Sequence, residues 1–134
     1  MSFGDAIGSV SDVDGALELA QRILKIGRGG LGKTSEATLW EVLAVDPLAV
    51  ILLAAGPRGC GGGERWVRAA IEHSGTDAVQ PGWARAAALC AGLCPPMAAS
   101  VVRLTGLDQR RRDCLALTMR AALDDVFPDD VACA

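Results

Sequence analysis

Histidine occurs once in this chain, at His73, no Cys-x-x-Cys pair is present, and no apolar run approaches the roughly 20 residues needed to cross a bilayer. Each absence removes a class of function. A structural zinc site needs four Cys or His ligands at recognisable spacing, and Cys90 and Cys94, one helical turn apart, offer only two. No metal is therefore expected. Nor is a transmembrane anchor. The opening MSFGDAIGSV has no basic segment leading into a long apolar run, so no secretory signal is expected, and Cys133 is not placed fourth from the end as a prenylation Cys would be. The formal net charge is -3, and the only basic run is Arg110, Arg111 and Arg112, which reads as a solvated helix face. A general affinity for nucleic acid is not expected. His73 has no nucleophile at a recognisable spacing, and no carboxylate pair stands inside an apolar stretch. Neither an enzyme nor a cofactor is expected on these grounds.

What is present is a core. The chain has 134 residues, 51% of them hydrophobic, which suits one domain with a substantial interior. Its 5 cysteines are an odd number, and three of them lie in helix-like apolar stretches, so they read as reduced thiols of a cytosolic protein.

Helical spacing dominates. Val13, Leu17, Ala20 and Leu24 form one stripe, which Ser11 or Asp12 can cap and Gly27 can end, giving a helix near 12–26. A second helix starts at Ser35 and carries Leu39, Trp40 and Leu43 until Asp46-Pro47 breaks it and caps a new element. That element, PLAVILLAA, is apolar all round and reads as either a buried short helix or a buried strand. RGCGGG reads as a flexible loop. Further helices are predicted near 63–74, from Pro81 to Cys94, over MAASVVRL to Gly106, and near 108–126 with Leu115, Met119, Ala122 and Val126 on one stripe. No strand alternation and no repeat is evident. The expected fold is all-α, a compact bundle of about seven short helices around a central apolar helix, which the pattern places at 83–94.

One motif is sharp. GRGGLGKTSE, from Gly27, satisfies the phosphate-loop pattern G-x-x-x-x-G-K-[ST] through Gly27, Gly32, Lys33 and Thr34. Its context does not fit, because a phosphate loop follows a buried strand and this one follows a helical stripe. The one acidic candidate for Mg²⁺, Asp46, lies only about three helical turns past Thr34, too close for a helix and a returning strand. The segment therefore reads as a helix-to-helix turn, with Gly27 as a C-cap and Thr34 or Ser35 as the next N-cap.

The stretch DAVQPGWARAAALCAGLC, residues 77–94, resembles the first homology motif of the B-cell-lymphoma-two family of apoptosis regulators. Asp77-Ala78-Val79 is similar to that family's Asp-Gly-Val, and Trp83-Ala84-Arg85 to its Trp-Gly-Arg. GERWVRAAIEHSG resembles the helix that precedes the motif, MRAALDDVFPDDV the run leading toward the second motif, and LELAQRILKIG the fourth motif. Departures are visible. Ala84 replaces a Gly, the third motif is only loosely suggested by Leu39, Leu43 and Asp46, and the second motif's Trp-rich end and the tail anchor are missing.

The resemblance implies a Bcl-like binding module of the short viral type, a pro-survival inhibitor of host apoptosis in the host cytoplasm. Its apolar groove would accept the amphipathic death-motif helix of Bax, Bak or a related protein. Val79, Trp83, Ala84 and Arg85 are the implied partner-binding residues, with Arg85 pairing an Asp of the ligand. Two plainer roles stay open: Arg85 pairing a neighbouring carboxylate, and Trp83 filling the core. Two other functions stay open as well. A Bcl-like viral inhibitor of NF-kappa-B signalling would act on host adaptors, and a poor groove with a homodimer would favour it. A small nucleotide-binding protein would use Gly32, Lys33 and Thr34. Titration with ATP or GTP and Mg²⁺ is expected to show no specific binding; micromolar affinity lost in Lys33→Ala would reverse that reading.

Overall fold

An apolar run with no polar face can be satisfied only by enclosure on every side, and PLAVILLAA imposes that demand here. A computed structural model describes residues 3–27 and 35–126, and in it the run is the second half of one long helix. The described residues form seven helices: α1 (Phe3–Gly8), α2 (Val13–Gly27), α3 (Ser35–Ala55), α4 (Gly63–Glu72), α5 (Trp83–Cys90), α6 (Pro95–Thr105) and α7 (Gln109–Val126). No strand occurs among the described residues. All six other helices contact α3. Leu48, Ala49, Val50, Ile51, Leu52, Leu53, Ala54 and Ala55 are each no more than 2% exposed.

Two expectations are corrected by α3. Pro47 was expected to break the helix, yet it lies inside one. A proline within a helix costs about 3 kcal/mol, whereas burying one Leu, Ile or Val side chain contributes about 1.5 to 3 kcal/mol. Five such side chains follow Pro47, so continuing the helix into the core outweighs the missing hydrogen bond. The central helix was expected at 83–94, but α5 spans only Trp83–Cys90, and Leu89 in it is half-buried. The count of seven agrees for another reason: the two elements predicted around Pro47 are one, and α1, with Phe3, Ala6 and Ile7 buried, supplies the other.

The remaining helices follow their stripes in part. On α2, Ala20 and Leu24 of the expected stripe are buried together with Ala16, Leu19 and Ile23, while Val13 and Leu17 are half-buried; on α7, Leu115, Met119 and Ala122 are buried with Leu123, and the side chain of Val126 lies outside the described residues. Asp12 accepts the Gly15 N–H at 2.8 Å, so it is the residue that caps α2. On α4, Val67, Ala70 and Ile71 face inward, while Arg68 meets Glu64 at 3.1 Å and Asp124 at 2.9 Å. Arg120 meets Glu72 at 2.9 Å, so ion pairs run along the α4–α7 seam. Between α3 and α4 the chain turns back on itself, with the Cys60 N–H on the Ala54 carbonyl at 2.7 Å. Gly61 and Gly63 there have φ of 69° and 70°, a left-handed conformation that glycine adopts without a Cβ clash. The glycine-rich stretch is thus a turn closing α3.

Leu52→Ala is expected to cost about 2 to 5 kcal/mol and Leu89→Ala clearly less, because only Leu52 leaves a fully enclosed cavity. Urea denaturation of both variants checks this; an equal loss would contradict the placement of the core.

Candidate functional site

The helix α4 ends at Glu72 without a glycine, so its last carbonyls need other partners. His73 Nδ1 stands 2.9 Å from the Ala69 carbonyl, and the His73 N–H reaches the Ala70 carbonyl at 3.2 Å. Trp83 supplies the rest. Its indole Nε1–H donates to the Ile71 carbonyl at 3.2 Å, and its backbone N–H donates to the His73 carbonyl at 2.9 Å. Trp83 is 0% exposed, so no partner helix can touch it in this conformation. Of the two roles left open for Trp83, the structure shows the core one, with the addition that it closes the end of α4. Gly82 is required by the same approach, since a Cβ there would lie 2.7 Å from the His73 carbonyl oxygen.

The turn before α5 is held by Asp77. One carboxylate oxygen accepts the Val79 N–H at 2.9 Å and the other the Gln80 amide at 3.0 Å. These hydrogen bonds, the Val79 N–H first, hold the Asp77 carboxyl below its ordinary range. Val79 is left 88% exposed. Arg85 is exposed, and among the described residues it has neither hydrogen bond nor ion pair, so pairing with a neighbouring carboxylate is not its role here.

Ala84 is half-buried and lines an apolar groove of about 490 Å³ between α5 and α6. One wall is Ala84, Ala87, Ala88 and Ala91; the other is Pro95, Ala98, Ala99, Val102 and Thr105, with Thr76 and Ala78 at one end. The groove exists because alanine side chains are too short to fill the space between two helices joined by a tight turn. The Thr105 hydroxyl donates to the Val102 carbonyl at 2.6 Å, which leaves the wall apolar. Arg85 follows Ala84 and is turned about 100° around the helix, so it stands at the rim. Three of the four implied residues thus gather here: Ala84 in the wall, Arg85 at the rim and Val79 beside Ala78. Sequence reading missed the α6 wall, whose only signal is the small-residue spacing Ala98, Ala99 and Val102.

A polar pocket of about 380 Å³ lies nearby, lined by His73, Ser74, Asp77, Gln80, Gln109 and Arg112 among others. Its polar groups serve one another. Arg112 reaches the Leu107 carbonyl at 3.0 Å, Gln109 Oε1 at 3.1 Å and the buried Ser74 hydroxyl at 3.3 Å. No hydrogen bond joins His73 to Ser74 among the described residues. No cluster of three or more His, Cys, Asp or Glu side chains suited to a metal ion occurs among the described residues, and no helix among them is long and apolar enough to cross a membrane.

Gly32, Lys33 and Thr34 lie outside the described residues, but their flanks are informative. The segment runs from the end of α2 to the start of α3, where a phosphate loop would need a strand before it. Asp46, its candidate Mg²⁺ ligand, sits inside α3 and accepts the Ser100 hydroxyl at 3.4 Å.

Cys60, Cys90, Cys94 and Cys114 are free thiols. Cys90 Sγ–H donates to the Val50 carbonyl at 3.4 Å, tying α5 to α3. Burial, then the nearby Cys94, pushes the Cys90 thiol up to about 12 from an ordinary 9.0.

Compared with family models, curated proteins and solved structures, the chain finds no match.

The neutral Cys90 thiol contributes stability that is fully present below about pH 9 and declines as pH rises toward 12. Cys90→Ala is expected to show a shallower loss of stability over that range. Iodoacetamide at pH 8 should label exposed Cys60 first and Cys90 last in the native protein, as mass spectrometry would read; early labelling of Cys90 would contradict its burial.

Proposed function

We propose that this chain is a helix-binding module whose α5–α6 groove receives the apolar face of a partner's amphipathic helix, while Arg85 at the rim pairs with a carboxylate of that helix. It acts by binding and performs no chemistry. The observation that carries the reading is the open, alanine-lined groove beside an arginine that has no partner of its own. Short side chains let a second helix approach closely, and helix-in-groove recognition uses anchors at i, i+3 or i+4, and i+7.

The sequence resemblance supplies the partner class: death-motif helices of Bax, Bak or related proteins, bound in the cytoplasm as an inhibitor of apoptosis. Here the groove is offered by the face that α5 shares with α6. The buried centre of the bundle is α3, so the helix that carries the resemblance is free to present one side outward. Arg suits the rim because its guanidinium stays charged and holds a carboxylate through two parallel hydrogen bonds.

Fluorescence anisotropy with a panel of death-motif peptides tests this. Micromolar binding is expected, and Ala88→Trp, which fills the groove from an exposed position, should weaken it more than about tenfold with the melting temperature unchanged. Arg85→Glu should lower affinity by some 30-fold to several thousandfold, the equivalent of about 2 to 5 kcal/mol. If the wild-type protein binds no peptide of the panel at high micromolar concentration, the death-motif reading fails and binding to NF-kappa-B pathway adaptors takes its place.

A further inference from the structure

The groove has two rims, and the second carries its own unpartnered cation. Arg103 follows Val102 on α6 as Arg85 follows Ala84 on α5, and both arginines are exposed. One groove is lined from Ala84 to Ala91 on α5 and from Pro95 to Thr105 on α6, so the two helices, joined by the short turn between Cys90 and Pro95, lie side by side as an antiparallel hairpin with the first turn of α5 beside the last turn of α6. Ala84 and Val102 therefore face the same end of the groove. Each arginine is turned about 100° from its neighbour in the wall. Both helices bury their other flank, through Trp83, Ala86 and Cys90 on α5 and Val101 on α6. Because the helices run in opposite directions, the same rotation carries the two guanidinium groups to opposite outer rims.

Four described arginines meet acids: Arg22 with Glu18, Arg68 with Glu64 and Asp124, Arg111 with Asp108 and Arg120 with Glu72. Arg58 and Arg112 bond to neutral oxygens, and Arg65 and Arg110, on other faces of the bundle, meet no acid among the described residues. Arg85 and Arg103 meet none among the described residues. The acid at this end of the groove, Asp77, spends its oxygens on Val79 and Gln80. A chain of net charge -3 thus presents two uncompensated cations astride an apolar floor.

From this geometry we infer that Arg85 and Arg103 form a two-sided carboxylate clamp that selects an acidic partner helix. The clamp rests on the helix-binding reading above and deepens it. On an α-helix, residues i and i+2 lie about 100° to either side of residue i+1. The fitting ligand therefore carries two carboxylates flanking a small residue, an acid-small-acid triplet at one end of its apolar face. The small residue enters the groove near Ala84, and the carboxylates reach the two rims.

Three synthetic amphipathic helical peptides, identical except for Glu-Ala-Glu, Gln-Ala-Gln or Lys-Ala-Lys at that end, test the clamp by isothermal titration at low and physiological salt. The Glu peptide is expected to bind the wild-type protein at least about tenfold more tightly than the Gln peptide, with the preference shrinking at higher salt. Arg103→Glu should remove most of that preference without changing the melting temperature, and Arg85→Glu combined with Arg103→Glu should transfer it to the Lys peptide. Equal binding of Glu and Gln peptides, both blocked by Ala88→Trp, would overturn the clamp and leave the groove reading standing. Failure of all three peptides to bind at millimolar concentration, or binding insensitive to Ala88→Trp, would overturn both. Sedimentation should find a monomer; a dimer dissolved by Ala88→Trp would assign the groove to a second copy of the chain and overturn the clamp as an acidic-helix reader.

Discussion

Complete enclosure of the second half of α3 is the constraint on which the other helices depend. From Leu48 to Ala55 no side chain has appreciable contact with water, and a helix with no polar face has no stable place except inside a ring of other helices. The same demand overrides the local preference of Pro47, because the apolar burial gained by continuing the helix exceeds the cost of one proline. Each surrounding helix then needs only one apolar stripe, and α2, α4 and α7 have one, with charged residues on their outer sides.

Trp83 converts that packing into a candidate site. With its ring buried and two N–H groups on carbonyls near the end of α4, it fixes where α5 begins and how the helix is rotated. That rotation turns Ala84, Ala87, Ala88 and Ala91 toward α6 and leaves Arg85 outside. The groove follows from the shortness of alanine, and its rims follow from helical geometry. Neither needs strained backbone: no described residue other than glycine has positive φ.

How much of the site was legible in the sequence depends on how local its causes are. The turn at Asp77 and the helix entry at Trp83 can be read from neighbouring residues, because an Asp side chain bonding the N–H two residues on is a short-range event. The exposure of Arg85 follows from its place beside a buried residue. The fate of the Trp83 indole cannot be read this way, since its acceptor belongs to Ile71 at the end of a different helix. Nothing in Ala98, Ala99 or Val102 marks a wall until α6 is folded back on α5. The phosphate-loop pattern shows the reverse case, in which a motif satisfied residue by residue is contradicted by its flank, a helix where a strand is required.

By itself the sequence determined the all-helical class, the stripes of α2, α4 and α7, the glycine turn after α3 and the absence of any bilayer-spanning run, because each depends on periodicity or composition within a few turns of chain. Only the tertiary structure decided that α3 and not α5 is the centre, that Pro47 is passed through, that Trp83 is enclosed, and that Ala84 and Val102, each followed by an exposed arginine, line one groove. These outcomes turn on which surfaces meet across the bundle. Burial summed over many side chains outweighs the preference of any single residue, and that sum is defined only once the helices are packed.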